Sequence, residues 1–157
     1  MQKITPFLWF DNNAEDAVNF YTSIFKDSKI TNMSRYSEAG PGPAGSVMVA
    51  NFTLNGQEFL ALNGGPVYKF TEAVSFVVNC EGQEEVDYYW DKLSEGGTPN
   101  ICGWLKDKFG LSWQIVPTVM GKLMSNPDPA KAKRIAEAMY KMTKIIIADL
   151  EKARDGE

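Results

Sequence analysis

The chain has 157 residues, 44% of them apolar and 23% charged, with a net charge of −4; this is the make-up of one globular domain large enough to bury a core. The acidic balance without a dense Lys/Arg patch argues against nucleic acid and anionic membrane surfaces as partners, and no apolar run is long enough to span a membrane. Histidine is absent, which excludes a nucleophile–His dyad, and the two cysteines, Cys80 and Cys102, are too few for a disulfide scaffold and not spaced as a metal knuckle.

Met1-Gln2-Lys3 leads straight into a strand rather than a signal peptide, so a reduced cytoplasmic setting is the expectation. Ile4 to Phe10 alternates as a strand, with Ile4, Pro6, Leu8 and Phe10 on one face and Thr5, Phe7 and Trp9 on the other. Asp11-Asn12-Asn13 offers capping oxygens for a helix running to about Phe25, whose Ala14, Ala17, Val18, Tyr21, Ile24 and Phe25 form an apolar stripe. Ile30 to Tyr36 is a second strand, and the Gly-Pro-Gly-Pro stretch inside Glu38 to Gly45 is a loop. Val47 to Leu54 and Glu58 to Asn63 flank Asn55-Gly56, the strongest hairpin signal in the chain. Ala73 to Asn79 is a strand. Glu84 to Leu93 is a helix with Val86, Tyr89, Trp90 and Leu93 on one face, ended by Gly96-Gly97.

The stretch Gly103 to Pro117 reads as two strands joined by a turn over Lys106 to Gly110, with Gly110 at a position suited to positive φ. On the second of these strands Leu111, Trp113 and Ile115 share one face, while Ser112, Gln114 and Val116 share the other. Asp128-Pro129 restarts the chain as a helix, and no Gly or Pro interrupts Ala130 to Ala153, where Ile135, Met139, Met142, Ile146 and Leu150 recur at helical spacing. One rod of that length would measure about 36 Å. An apolar stripe so long needs a partner surface; it could fold back over its own sheet, but a homodimer in which each helix covers its twin's sheet is the expectation.

The order of elements implies an α+β fold: two βαβββ modules forming a curved mixed sheet with helices outside, plus a long C-terminal helix. The expected division is 1–117 for the paired modules and 118–157 for a helical extension of the same domain. Pro6-Phe-Leu-Trp-Phe10 with Asn13-Ala-Glu-Asp-Ala17, the closing Gly103-Trp-Leu-Lys-Asp107 with Phe109 to Pro117, and the tail around Asp128-Pro129 resemble the PhnB-like family, also labelled demethylubiquinone methyltransferase-like. That family sits in the vicinal-oxygen-chelate superfamily of glyoxalases, bleomycin-resistance proteins and dioxygenases.

The resemblance implies a metal bound through His and Glu at matching strand positions. Carried onto this chain, those positions fall near Thr5 or Pro6, near Ala61 or Asn63, at Ser75, and at Gln114. None offers imidazole or carboxylate, so no metal or other cofactor is expected. The methyltransferase label finds no support in the residues, since no glycine-rich turn follows a strand and opens a helix. The expected function is binding of a small apolar or aromatic molecule without a metal, through Thr5, Phe7, Trp9, Phe59, Asn63, Ser75 and Gln114. The alternatives are an enzyme of glyoxalase or dioxygenase type recruiting Glu58, Glu72 or Asp107 to a metal, a methyltransferase-like enzyme of the same family, and an interaction protein with a vestigial pocket. Trp104 and Trp113 read as core, and Cys80 and Cys102 as small buried hydrophobes.

Overall fold

In the computed structural model of the chain, residues 2–157 are described; Met1, which begins the expected lead into the first strand, lies outside them. The chain forms two compact units, one ending at Phe70 and the other spanning Thr71–Glu157. Each contains a βαβββ module with its own four-stranded mixed sheet.

The first module comprises β1 (Phe7–Phe10), α1 (Ala14–Ile24), β2 (Lys29–Arg35), β3 (Val47–Leu54) and β4 (Gln57–Asn63), with strand order β1-β4-β3-β2. β1 runs parallel to β4, and the other pairings are antiparallel. Asn55 and Gly56 join β3 to β4 with φ of 50° and 78°, the two positive values that a tight hairpin turn of the I′ kind requires. Alternation places Leu8, Phe10, Ala50, Phe52, Leu54, Phe59 and Ala61 on the buried side, and Ala14, Ala17, Val18, Tyr21 and Ile24 of α1 are buried in turn. Asn13 is the N-cap residue of α1 but makes no side-chain cap bond. The capping oxygen comes instead from Asn63 Oδ1, which accepts from the Ala14 amide at 2.8 Å.

The second module comprises β5 (Ser75–Cys80), α2 (Gly82–Ser94), β6 (Thr98–Pro99), β7 (Trp104–Lys106) and β8 (Ser112–Pro117), ordered β5-β8-β7-β6. Its β7–β8 turn is built around Asp107, which is only 3% exposed. Asp107 Oδ1 accepts from the Phe109 and Leu111 amides at 2.8 and 3.1 Å, and Oδ2 accepts from Trp113 Nε1 at 2.9 Å. Three N–H donors satisfy the oxygens of this buried carboxylate. Trp113 and Ile115 are buried with Val78 and Cys80 on the side facing α2, as alternation requires.

The C-terminal segment is helical but is not one rod. It folds as α3 (Met120–Met124), α4 (Pro129–Tyr140) and α5 (Ile147–Asp155). Asp128 caps α4, accepting from the Ala130 amide at 2.9 Å, with Pro129 at the first helical position. The break at residues 141–146 follows from tertiary demand on the backbone. The carbonyls of Met142 and Thr143 accept from the Cys102 and Gly103 amides at 2.9 and 2.8 Å. The Gln83 side chain donates to Ile145 O at 3.0 Å and accepts from Ile147 N at 2.8 Å. The β-branched run Thr143, Ile145, Ile146, Ile147 makes the helical alternative a weak competitor.

After the break, α5 returns along α4. Arg134, in the middle of α4, donates to Ala153 O and Arg154 O at the end of α5, at 2.9 and 2.7 Å. Leu123, Ile135, Ile145 and Leu150 form a buried cluster, flanked by Met120, Met124, Met139 and Met142. The apolar stripe is thus closed within one chain, which removes the argument for a homodimer built on its length.

Candidate functional site

On the first sheet the residues expected to line a site divide among three places. Phe7 and Trp9 lie on the face opposite Leu8 and Phe10, and Phe7 is 51% exposed. Trp9 is fixed there: its Nε1 donates to Gly65 O at 2.9 Å, and its ring meets Tyr68 edge-on at 5.0 Å. Gly64 lies against the same ring, where an added Cβ would come within 2.3 Å of it. Phe59 and Asn63 project to the opposite, helix-covered side, with Phe59 stacked on Phe52 at 5.5 Å. The Asn63 amide is engaged at both ends, accepting from Ala14 N and donating to Val47 O at 3.0 Å. Thr5, just before β1, lines a cleft of about 190 Å³ with Phe59, Gln2, Thr31 and Asn51.

The second sheet brings its two expected residues together. Gln114 Nε2 donates to Ser75 Oγ at 2.9 Å, on the face opposite Trp113 and Ile115. Cross-strand register extends this pair into two rows. Thr98 pairs with Lys106, Lys106 with Ser112, and Ser112 with Ser75. In the adjoining row Trp104 pairs with Gln114, and Gln114 with Val77. Side chains of directly paired residues project to the same face, so a polar row runs beside one headed by an indole.

Lys106 forms an ion pair with Glu72, and that hydrogen bond holds the Glu72 carboxyl below its usual range. Both side chains are about half exposed, at 42% and 59%. Beneath them Ser112 is 1% exposed, and its Oγ has no hydrogen-bonding partner among the described residues. These groups line a cleft of about 180 Å³ with Thr98, Asn100, Trp104 and Leu105. Sequence reasoning placed Ser112 on the Gln114 face but did not single it out, and read Trp104 as core. The two-residue period from Gln114 through Ser112, and from Trp104 through Lys106, was the signal available.

The donor set does not fit a divalent metal. Ser75 and Gln114 supply neutral oxygen and nitrogen already bonded to each other, and an ammonium stands in the next row. Among the described residues no three Cys, Asp or Glu side chains come together. The carboxylates considered as recruits are otherwise occupied: Glu58 accepts from the Gln2 amide at 3.2 Å, Glu72 pairs with Lys106, and Asp107 organises its turn.

Cys80 is fully buried, and burial together with the charge of Glu85 pushes its thiol up to about 12; it is not a poised nucleophile. Among the described residues no helix is long and apolar enough to cross a membrane.

Comparison with known proteins agrees with this architecture. The family model described as 3-demethylubiquinone-9 3-methyltransferase matches residues 2–116. The solved structure of the PhnB protein from Bacillus cereus is 45% identical, with a TM-score of 0.71 over 74% of this chain and 100% of that one. A Pseudomonas aeruginosa protein is 20% identical, with a TM-score of 0.62 over 74% of this chain and 98% of that one. The fosfomycin resistance protein FosX from Mesorhizobium loti shares the fold at 10% identity and a TM-score of 0.56, over 80% of this chain and 100% of that one. A comparison with curated proteins found no match. The chain belongs to the PhnB-like family that the 3-demethylubiquinone-9 3-methyltransferase model describes, and shares its fold with the fosfomycin resistance protein FosX.

Proposed function

We propose that this protein binds a small molecule on the open face of its second sheet, without a metal, with an apolar or aromatic part of the ligand resting on Trp104. The observation that carries this reading is the juxtaposition of a half-buried indole with the polar groups of Lys106, Ser112, Ser75 and Gln114 on neighbouring strands. Ligand sites typically combine an apolar wall with a few placed polar groups. The buried Ser112 hydroxyl, without a partner among the described residues, supports this reading, because leaving such a group unpaired is destabilising.

Phe7 and Trp9 on the first sheet are proposed as a further apolar contact surface, and Thr5 with Phe59 as lining of the smaller cleft. Asn63 contributes to this reading only through the fold, by holding the start of α1.

The test is a thermal-shift screen of aromatic acids, quinones and antibiotics on the whole chain and on Trp104→Ala. A ligand that binds only the native state must raise its stability. The reading expects at least one compound class to raise the melting temperature of the wild type and to lose that effect in Trp104→Ala. Hits that stabilise both proteins equally would place the binding surface elsewhere.

A further inference from the structure

The cleft at the edge of the second sheet has a charge pattern that narrows its ligand. Lys106 Nζ and the Glu72 carboxylate stand together at its mouth, Ser112 Oγ lies beneath without a partner among the described residues, and Trp104 forms a wall. The two charges cancel, so the site as a whole favours neither sign. A simple anion approaching Lys106 would be repelled by Glu72, and a simple cation approaching Glu72 would meet Lys106. A molecule bearing both signs on neighbouring atoms can pair with both residues at once, forming charge-assisted hydrogen bonds at each. The cleft volume of about 180 Å³ is roughly six times one water's share of the liquid, the scale of a small metabolite rather than a peptide.

We propose that this cleft binds a free α-amino acid, its carboxylate held by Lys106 and Ser112, its ammonium by Glu72, and its side chain against Trp104. The inference rests on the open-face reading above and adds the ligand class. Ser112 has the decisive place in it. Its hydroxyl lacks a partner among the described residues, so a ligand carboxylate accepting a hydrogen bond from it would complete a bond that they leave unmade.

The experiment is isothermal titration of the whole chain with each protein amino acid. The tightest binder is then compared with its carboxamide, which keeps only the ammonium, and its deaminated acid, which keeps only the carboxylate. The expected result is saturable binding of at least one amino acid, with both analogues weaker by about tenfold or more. Ser112→Ala, Lys106→Met and Glu72→Gln, each checked for a native melting transition, should each weaken the amino acid by about tenfold. Absence of binding by every amino acid would overturn the proposal, as would equal binding of either analogue or undiminished binding by all three variants. If amino acids fail while an aromatic or quinone ligand still depends on Trp104, the zwitterion inference is wrong and the open-face reading stands. If sugars or polyols bind in their place through Ser112, the ligand class is likewise wrong.

Discussion

Ser112 separates a stability role from a binding role within one side chain. Its hydroxyl is buried and unpaired among the described residues, and removing such a group relieves a desolvation cost of about 1 kcal/mol or more. Ser112→Ala is therefore expected to melt at the same temperature as the wild type or higher, measured by calorimetry, while losing ligand affinity. A marked fall in melting temperature would mean that the hydroxyl is satisfied by the fold. Cys80 makes a prediction about pH. Its thiol has an ordinary value of 9.0 and is pushed up to about 12 by burial first and by Glu85 second. An acid whose folded value is raised contributes stability that is fully present below the unfolded value and is lost as pH rises from there through the folded one. Denaturant titrations from about pH 9 to pH 12 should show stability falling less steeply in Cys80→Ala than in the wild type. Parallel slopes would remove Cys80 as a source of alkaline sensitivity. At this scale the sequence was partly legible. Gln114 and Ser75 could be placed on one face by alternation, but their mutual hydrogen bond depends on a register between distant strands. Asn63 could not be read as a helix cap, because its partner Ala14 is far away in sequence.

The β7–β8 hairpin was legible from the sequence, since Gly110, the flanking aromatics and Pro117 all act locally. What the local pattern concealed is the job of Asp107, whose carboxylate ties two turn amides and the Trp113 indole into one knot. Asp107→Ala leaves those three donors without this acceptor, and a loss of about 3 kcal/mol is expected from urea denaturation. A change well under 1 kcal/mol would show that the turn holds its shape without the carboxylate. The C-terminal helix was the element least legible. Helical spacing and the lack of Gly or Pro argued for one rod, but Gln83, Cys102 and Gly103 supply backbone partners at residues 142–147 that periodicity cannot reveal. Ile135 anchors the cluster formed when the segment doubles back. Ile135→Ala is expected to cost about 2–5 kcal/mol, the range for deleting a buried aliphatic side chain, and a near-neutral effect would contradict the packing described here.

For the molecule as a whole, the repeated βαβββ order was readable because each module announces itself by the same succession of periods, two then three to four then two. The match of the family model to residues 2–116 covers both modules, leaving the function of the chain to the groups that its own sheets display. The superfamily pattern suggests metal chemistry, and the side chains at those strand positions argue against it through their donor types: two hydroxyls, two amides and a nearby ammonium. The central claim is that the open face of the second sheet is where a small molecule binds. Amide chemical-shift mapping during ligand titration tests this most directly, because it reports every backbone position at once. The account predicts that the largest perturbations fall on Ser75, Trp104, Lys106, Ser112 and Gln114. Saturable shifts confined to other surfaces, or no shifts with any ligand that stabilises the protein, would contradict it.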